Sequence, residues 1–334
     1  MLARSKIAGS ILVVLIASFI TSCARDDRII MRVGDVWSAS HPNSYSIINV
    51  FKPMIEEGTN GAIYVEIYGA GALGSEQTLW DSVRSGALEV GILGTLISSE
   101  YRPMVIAEWP FLYRDVEHAK SVWTGSFAEE FMSDFNSAFS TQMNLLAVGP
   151  NSARTFTSNV PLRSIHDFSG QRFRVPATQV HVGIVNDLGA SSHIIPLTDL
   201  FSSMQTGVVD GQDNGMVTVL SERFHEVQRY LLETNHLVAI MTTVINAPFL
   251  NSLRPEYQQV VRDAARAAAV SAWEAYIVSL DNDRQTLRNL GVTVTQVSDS
   301  ERLQFIEAIQ PTLSHLHAEN PWAQEVLTRI GNVR

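Results

Sequence analysis

One long stretch near the end of the chain constrains the fold more than any other feature. From Glu256 to Leu290 there is neither proline nor glycine, good helix formers are frequent, and Gly291 follows as a natural stop. At 1.5 Å per residue, one unbroken helix of this length would span on the order of 50 Å, which is longer than one lobe is wide. The residues alone leave a second interpretation open, in which two shorter helices break near Asp281.

The chain length also favours two lobes. Single hydrophobic cores rarely grow beyond ~250–300 residues, and this chain has 334 residues with 46% hydrophobic and 17% charged, as in an ordinary globular protein. Short apolar strands alternate with amphipathic helices, which predicts an α/β fold with largely parallel sheets. Strands are predicted at 28–33, 63–68, 88–93, 145–149, 172–175, 192–195, 208–212 and 237–247, and helices at 43–57, 75–85, 116–139 (broken at Gly125), 180–188 and 200–206.

The N-terminus has the pattern of an export signal. Arg4 and Lys6 precede an apolar segment, 7–20, which is too short for a comfortable membrane span. The segment ends in Ile-Thr-Ser-Cys23, which resembles the lipobox of bacterial lipoproteins, and Cys23 is the only cysteine in the chain. We therefore expect a signal peptide at 1–22 and lipidation of Cys23; an ordinary signal-peptidase cut is the alternative. A mature exported chain without cysteine pairs must be stabilised by core packing.

The charge balance excludes one class of partner. The net charge is −10, and it becomes more acidic once Arg4 and Lys6 are removed with the signal. An acidic body argues against binding to nucleic acid and against electrostatic binding to membranes. It also repels anionic solutes at long range, so an anion site would need local positive charge.

Two arginines near short predicted strands are candidates for that local charge. Arg174 lies in the run Arg172-Phe-Arg-Val, which Pro176 ends, and Arg154 precedes another extended run. The guanidinium group can bind a carboxylate or phosphate through two parallel hydrogen bonds. For either arginine taken alone, a solvated strand end is the simpler interpretation.

Motifs of other site classes are weak or incomplete. Gly69, Gly71 and Gly74 form a literal GxGxxG with the acidic Glu89 twenty positions after the first glycine, which is the dinucleotide-binding pattern. However, Glu89 begins its predicted strand instead of ending it, and an exported chain leaves the soluble nicotinamide pool. No GxSxG or HExxH motif is present, and the run 210–214 lacks the spacing of a calcium loop. No cofactor is expected, although a metal-assisted ligand stays open.

Several segments together resemble the DctP family, the extracytoplasmic solute-binding proteins of tripartite ATP-independent periplasmic (TRAP) transporters. The resemblance covers nearly all of the chain after residue 28. It is carried by Arg154-Thr-Phe-Thr-Ser-Asn-Val-Pro-Leu, Asp167-Phe-Ser-Gly-Gln-Arg-Phe-Arg-Val-Pro, Leu188-Gly-Ala, Ile195-Pro-Leu and Gln205-Thr-Gly-Val-Val-Asp-Gly-Gln-Asp-Asn, with His41-Pro, Leu73-Gly-Ser-Glu, Trp109-Pro-Phe-Leu-Tyr-Arg-Asp and Glu117-His-Ala as flanking pieces.

The resemblance implies a two-lobe, periplasmic-binding-protein-like (Venus-flytrap) α/β fold, with the ligand cleft between the lobes and a single long helix along both. Lobe I would comprise 28–151 and 240–279, and lobe II 152–239 and 280–334. The implied function is capture of a small organic anion by an arginine clamp, lobe closure, and delivery to the membrane permease subunits of the transporter. By this resemblance the protein is expected to be a monomer and not an enzyme, and to lie in the periplasm or on the outer face of the membrane, held there only by its lipid.

Five residues match positions that contact solute in the family. Arg174 matches the arginine that clamps the solute carboxylate, Arg154 a second arginine that often joins it, and Asn214 an amide that bonds the same group. Trp37 and Glu76 match specificity positions of the first lobe; for Glu76 a helix-capping role is the alternative.

Two positions depart from the family pattern, and two other functions stay open. Gly215 replaces a usual proline, and Leu197 replaces a frequent aromatic residue that would stack on the ligand. The other functions are a same-fold protein that presents its ligand to a sensor kinase, and a nicotinamide-dependent oxidoreductase based on the GxGxxG pattern.

Overall fold

The computed structural model describes residues 28–334. The predicted signal peptide and Cys23 lie outside the described residues. The strands are β1 (Ile29–Gly34), β2 (Ile63–Tyr68), β3 (Val90–Leu93), β4 (Met143–Ala153), β5 (Thr155–Ser158), β6 (Arg172–Val175), β7 (Ser191–Ile194), β8 (Gly211–Asn214), β9 (Tyr230–Glu233), β10 (Val238–Asn246) and β11 (Thr293–Gln296).

The helices cover the faces of the sheets. The α-helices are α1 (Pro42–Ser46), α2 (Lys52–Gly58), α3 (Glu76–Ser85), α4 (Ile97–Glu100), α5 (Val116–Thr124), α6 (Ser126–Ala138), α7 (Gln179–Asp187), α8 (Leu197–Gln205), α9 (Met216–Ser221), α10 (Ala247–Ser252), α11 (Pro255–Asn289), α12 (Asp299–Ala308), α13 (Gln310–Glu319) and α14 (Ala323–Gly331). Short 3₁₀ helices occur at Arg102–Glu108, Ile165–Phe168 and Phe224–Glu226, and a π-turn at Ile47–Phe51 joins α1 to α2.

The strands form two separate mixed sheets. The first has the order β2-β1-β3-β10-β4, in which β1 is parallel to β2 and β3, and β10 is antiparallel to β3 and β4. The second has the order β11-β9-β5-β8-β6-β7, in which only β5 is antiparallel to its neighbours. The α/β two-lobe fold is thus confirmed, with each sheet at the centre of one lobe.

The long helix α11 is continuous over its 35 residues and ends just before Gly291, whose φ of +88° favours glycine. It packs against β4, α1 and α2 of the first lobe and against α9 and β11 of the second lobe. The single-helix interpretation is therefore correct, and the break near Asp281 does not occur.

The chain passes between the sheets as extended backbone at two neighbouring places. β4 leads into β5 through Arg154, and β9 leads into β10 through Thr234–Leu237; the Arg154 N–H donates to the Leu237 carbonyl at 2.7 Å. A hinge between the lobes would lie at these two adjacent crossings. The lobe boundaries at 151/152, 239/240 and 279/280 stay predictions.

Local chemistry explains a departure from the predicted helix at 43–57. Pro53 has no N–H to donate to the carbonyl four residues earlier, and the chain takes a π-turn just ahead of it. Strands β9 and β11 and the helices α4, α9, α10 and α12 to α14 were not predicted. Of the helices in residues 28–334, none combines the length and apolar character needed to cross a bilayer.

Candidate ligand site between the lobes

Three strand ends meet at one edge of the second sheet. β5 runs antiparallel to β8, with Thr155 opposite Asn214, and β6 runs parallel to β8, with Arg174 opposite Gln212. The start of β5 therefore lies beside the ends of β6 and β8. This topology brings Arg154, Arg174 and Asn214 to the same edge, which faces the first lobe.

Arg174 lines a cavity of about 130 Å³ between the lobes. It is 4% exposed; its Nε donates to the Ile195 carbonyl at 2.7 Å, and within residues 28–334 its two terminal nitrogens make no hydrogen bond. Burial lowers the pKa of Arg174 to about 10, and repulsion from Arg154 adds to the effect. The guanidinium is thus still charged at neutral pH, desolvated, and without an ion-pair partner among the described residues.

Both lobes contribute to the wall of this cavity. Glu76 faces it from the first lobe, and Leu197, the position with a departure from the family pattern, faces it from the second. The remaining lining residues are Val36, Ser75, Gln77, Thr95 and Leu96 from the first lobe, and Pro176, Ala177, Ile194, Ile195, Pro196 and Thr198 from the second.

Glu76 is the first residue of α3, and the side chain of Ser75 caps that helix. One carboxylate oxygen of Glu76, Oε2, accepts a hydrogen bond from the Gly94 N–H at 2.9 Å. Burial raises the pKa of Glu76, and the attraction of Arg174 reduces that rise. The backbone of Gly94 and Leu96 thus holds the Glu76 carboxylate in the cavity wall, so a position in the first turn of a helix and a place in the cavity are compatible.

Arg154 lies behind the cavity and is fully buried. Its Nε is 2.7 Å from Asp213 Oδ1, and its Nη2 donates to the Asp213 carbonyl. Burial alone would raise the pKa of Asp213, but the charges of Arg154 and His236 outweigh burial and hold it well below its ordinary value. Arg154 thus already has a carboxylate partner within the protein and does not line the cavity.

Asn214 is also buried outside the cavity lining. Its Nδ2 donates to Gln212 Oε1 at 2.7 Å, and its carbonyl accepts from the Thr155 hydroxyl at 2.8 Å. The next residue, Gly215, donates its N–H to Ser152 Oγ at 3.1 Å, and a Cβ there would come within 2.2 Å of the Ser152 Cβ. A proline, with neither the N–H nor the space, does not fit beside Ser152, which explains the departure from the family pattern.

Trp37 is buried and does not line the cavity beside Arg174. Its ring packs against Gly94, where a Cβ would come within 2.8 Å of the indole, and it borders a separate groove of about 600 Å³. Gly94 also donates its N–H to Glu76, so Trp37 packs against the loop that holds that carboxylate.

The glycine-rich turn and Glu89 are both engaged elsewhere. Glu89 forms an ion pair with Arg32 at 2.6 Å, and a Cβ at Gly71 would come within 2.7 Å of Thr198 of the other lobe. A dinucleotide would need both features free.

The lobes touch on both sides of the cavity. Ser38 of the first lobe donates its N–H to Glu222 Oε1 at 2.9 Å, and the Ser99 hydroxyl donates to the Ala177 carbonyl at 2.8 Å. The cleft is therefore closed in this structure.

Sequence reasoning missed a set of buried titratable groups behind the arginines. His181 Nε2 is 3.7 Å from Asp213 Oδ2, His236 Nε2 is 3.6 Å from Asp213 Oδ1, and Glu108 Oε2 is 3.9 Å from His181 Nδ1. These four residues form the buried cluster. They do not form a metal site, since nowhere in residues 28–334 do three His, Cys, Asp or Glu side chains converge as metal ligands.

Comparison with known proteins decides the family. The family model of bacterial extracellular solute-binding protein, family 7 (DctP), matches residues 33–320. The chain belongs to this family. The predicted identity, a TRAP transporter solute-binding protein, is confirmed, and the family transports solutes and is not an enzyme family.

Solved structures agree with this DctP family assignment over almost the whole described chain. A TRAP periplasmic solute-binding protein from Haemophilus influenzae with bound L-gulonate has a TM-score of 0.86 and 26% identity, covering 92% of this chain and 100% of that one. The sugar acid binding protein of Advenella mimigardefordensis, in complex with galactonate, has a TM-score of 0.87 and 25% identity, covering 92% and 99%. The sialic acid-binding periplasmic protein of Vibrio cholerae is 26% identical over 278 residues, 80% of this chain and 82% of that one.

Proposed function

We propose that this DctP-family protein captures a small organic acid outside the cytoplasm, closes over it, and delivers it to the membrane subunits of a TRAP transporter. The observation that carries the proposal is the state of Arg174: a buried, charged guanidinium whose terminal nitrogens point at an interlobe cavity without a partner among the described residues. A carboxylate would supply that partner through two charge-assisted hydrogen bonds.

Arg154 supports the clamp indirectly. Its charge is balanced by Asp213 at 2.7 Å, so its direct binding of the solute, as the family pattern suggested, would require Asp213 to release it. We infer instead that Arg154 fixes the end of β8 and adds positive potential behind Arg174. Asn214 would also act from behind Arg174, by holding Gln212 and Thr155 in place.

Glu76 favours a particular kind of acid. A ligand between Arg174 and Glu76 needs a carboxylate at one end and a hydrogen-bond donor at the other, because a second carboxylate would be repelled by Glu76. A hydroxylated monocarboxylate meets both requirements, and gulonate and galactonate, bound by the two similar solved structures, are acids of this kind.

Closure follows from the hinge and the charges. Without solute, the Arg174 guanidinium is desolvated and also repelled by Arg154; burial first and this repulsion second lower its pKa. The solute carboxylate removes this repulsion and bridges to groups of both lobes, so it binds the closed form more tightly than the open form and shifts the population. Export, lipidation of Cys23 and a monomeric state remain parts of this proposal.

The test is a thermal-shift screen of the ligand-free protein against organic acids, followed by calorimetry, because a ligand that binds only the folded form raises its melting temperature. We expect hydroxylated monocarboxylates to give the largest shifts. Arg174→Ala should weaken binding of the best acid on the order of 100-fold or more, since it removes a buried charge contact of about 3–5 kcal/mol.

Two further variants make the result specific. Arg174→Lys keeps the charge but loses the planar fork, so it should also bind poorly. Arg172→Ala is the matched control, because Arg172 lies two residues earlier on the same strand and pairs with Asp210 at 2.7 Å outside the cavity. Wild-type affinity in Arg174→Ala would contradict the proposal.

A further inference from the structure

Glu108 is a buried acid for which the proposed ligand site has no use. It ends the 3₁₀ helix Arg102–Glu108 of the first lobe and is 3% exposed. Within residues 28–334 neither of its carboxylate oxygens has a hydrogen-bond partner, and neither is open to water. An ionised carboxylate in such a place would carry a large desolvation cost, so its protonation state and its neighbours need an explanation.

Two hydroxyl groups lie beside Glu108, and each has another hydrogen-bond partner. Ser98 Oγ donates to the Thr95 carbonyl at 2.8 Å, and Thr178 Oγ1 is 2.7 Å from His181 Nδ1. A hydroxyl has a single proton, so whether Thr178 can donate to Glu108 depends on which His181 nitrogen carries hydrogen.

Asp213 favours one tautomer of His181, and a donor on the far side of Thr178 would support the same one. Asp213 is ionised because Arg154 is 2.7 Å from its Oδ1, but its Oδ2 is buried without a donor among the described residues. His181 Nε2, at 3.7 Å, is the nitrogen that faces this oxygen. A proton on Nε2 therefore points at the carboxylate, and Nδ1 is left as an acceptor for the Thr178 hydroxyl.

When the Thr178 hydroxyl donates its proton to His181 Nδ1, it can only accept a hydrogen bond from Glu108. Glu108 must then carry a proton and be the donor. We propose that Glu108 is a positioning residue, held as the neutral acid, whose proton points at Thr178 Oγ1 and so orders a directed chain from the first lobe through Thr178 and His181 to Asp213 and Arg154. This hydrogen-bond chain joins the two lobes at the start of α7. It holds in place Arg154, which lies behind Arg174.

The surrounding charges agree with a neutral Glu108. The groups that face it are His181 from α7, Arg154 and Asp213 from the hinge edge, Glu76 from α3, and Arg102, His315 and Glu319 around an adjoining cavity of about 200 Å³. Arg102 is held by Asn320 and Glu319. Burial raises the pKa of Glu108 to about 8, and burial, together with the charge of Arg154, lowers the pKa of His181 well below its ordinary value, so both groups are neutral at pH 7.

The pH dependence of stability follows with a definite sign. Folded Glu108 keeps its proton up to about pH 8, whereas the unfolded chain releases it near pH 4.5. Folding thus becomes progressively less favourable as pH rises from 4.5 to 8, and the full penalty is present above pH 8. Glu108→Gln removes this penalty and keeps a donor, since its amide carries two N–H bonds.

The first experiment compares melting temperatures of the ligand-free wild type and Glu108→Gln from pH 5 to pH 9. We expect nearly equal values at pH 5 and a melting temperature roughly 5–10 °C higher for the variant at pH 9. Glu57→Gln, which removes the same charge from an exposed position of α2, should track the wild type throughout. A Glu108→Gln difference that does not change with pH would overturn the proposal.

The second experiment tests the hydrogen-bond chain through the tautomer of His181. Histidine ¹⁵N spectra of ligand-free protein should show His181 protonated at Nε2 and not at Nδ1, in the wild type and in Glu108→Gln. Glu108→Met, of similar size but without a donor, should lose this single tautomer; His181→Asn assigns the signal. A proton on Nδ1 of His181 in the wild type would refute the proposed hydrogen-bond chain. If Glu108→Met does not fold, the melting temperatures of the wild type and Glu108→Gln still test the proposal. The consequence for solute capture rests on the proposed function, but neither measurement uses a ligand, so the two ideas can fail separately.

Discussion

Arg154 and Arg174 lie at the same edge of one sheet and are both desolvated, but their surroundings differ. Arg154 has Asp213 at 2.7 Å and makes two contacts to it, whereas among residues 28–334 Arg174 bonds one backbone carbonyl and has a cavity in front of it. A buried cation with an ionic partner contributes to the stability of the fold. One without a partner carries an uncompensated desolvation free energy, which an anionic ligand can offset. The same residue type thus serves stability at one position and binding at the other.

The largest effect is expected when Arg154 is removed. Arg154→Met would leave Asp213 buried without its main cationic partner, and we expect the free energy of unfolding, measured by urea titration, to fall by about 3–5 kcal/mol at pH 7. In the wild type the lowered pKa of Asp213 contributes stability above about pH 4 that is lost on acidification. In the variant, burial dominates and raises that pKa, so acidification from pH 7 should reduce the deficit.

A double variant controls for lost packing. Arg154→Met with Asp213→Leu replaces the pair by apolar side chains, and it should be clearly more stable than Arg154→Met alone because no buried charge is left unpaired. If the two changes simply add, the ion pair is not what makes Arg154 important.

The sequence made Arg174 easier to predict than Arg154. A strand that ends at a proline places Arg174 at a sheet edge through purely local signals, and the family pattern supplied the rest. The partner of Arg154 is 59 residues away, and whether it is a solute or Asp213 depends on the register of β5 against β8, which no local pattern encodes. In the sequence, Asp213 stood out only as one possible metal-ligating oxygen in the run 210–214.

The fold shows the same division between local and distant signals. The helical character of 256–290 and most strands of the first lobe follow from composition and periodicity, whereas the family resemblance was needed to favour one unbroken helix. Helices α12 to α14 were missed; the apolar residues that they bury are few and widely spaced. Glu108 could not be predicted either, because its role depends on His181 and Thr178 of the other lobe, which only tertiary packing brings near.

Removing Arg174 should have a smaller effect on stability, and one of opposite sign. Arg174→Met removes a desolvated charge that lacks an ionic partner, at the cost of one hydrogen bond to Ile195. Because burial lowers the pKa of Arg174 to about 10, the charged form is disfavoured in the folded state. We expect the ligand-free variant to be more stable by about 1–2 kcal/mol in urea titration, while it no longer binds the acid identified in the screen. A loss of stability equal to that of Arg154→Met would erase the contrast between the two arginines.

The smallest effect is expected at Arg172, the third arginine of this region. It pairs with Asp210 at 2.7 Å, as Arg154 pairs with Asp213, but its side chain is 43% exposed. Water and salt screen such a pair, and its geometry costs side-chain entropy, so exposed pairs contribute little. Arg172→Ala should therefore leave the melting temperature within a degree or so of the wild type, and the remaining difference should vanish in about 1 M salt. A salt-resistant loss comparable to that of Arg154→Met would mean that burial is not what separates the two ion pairs.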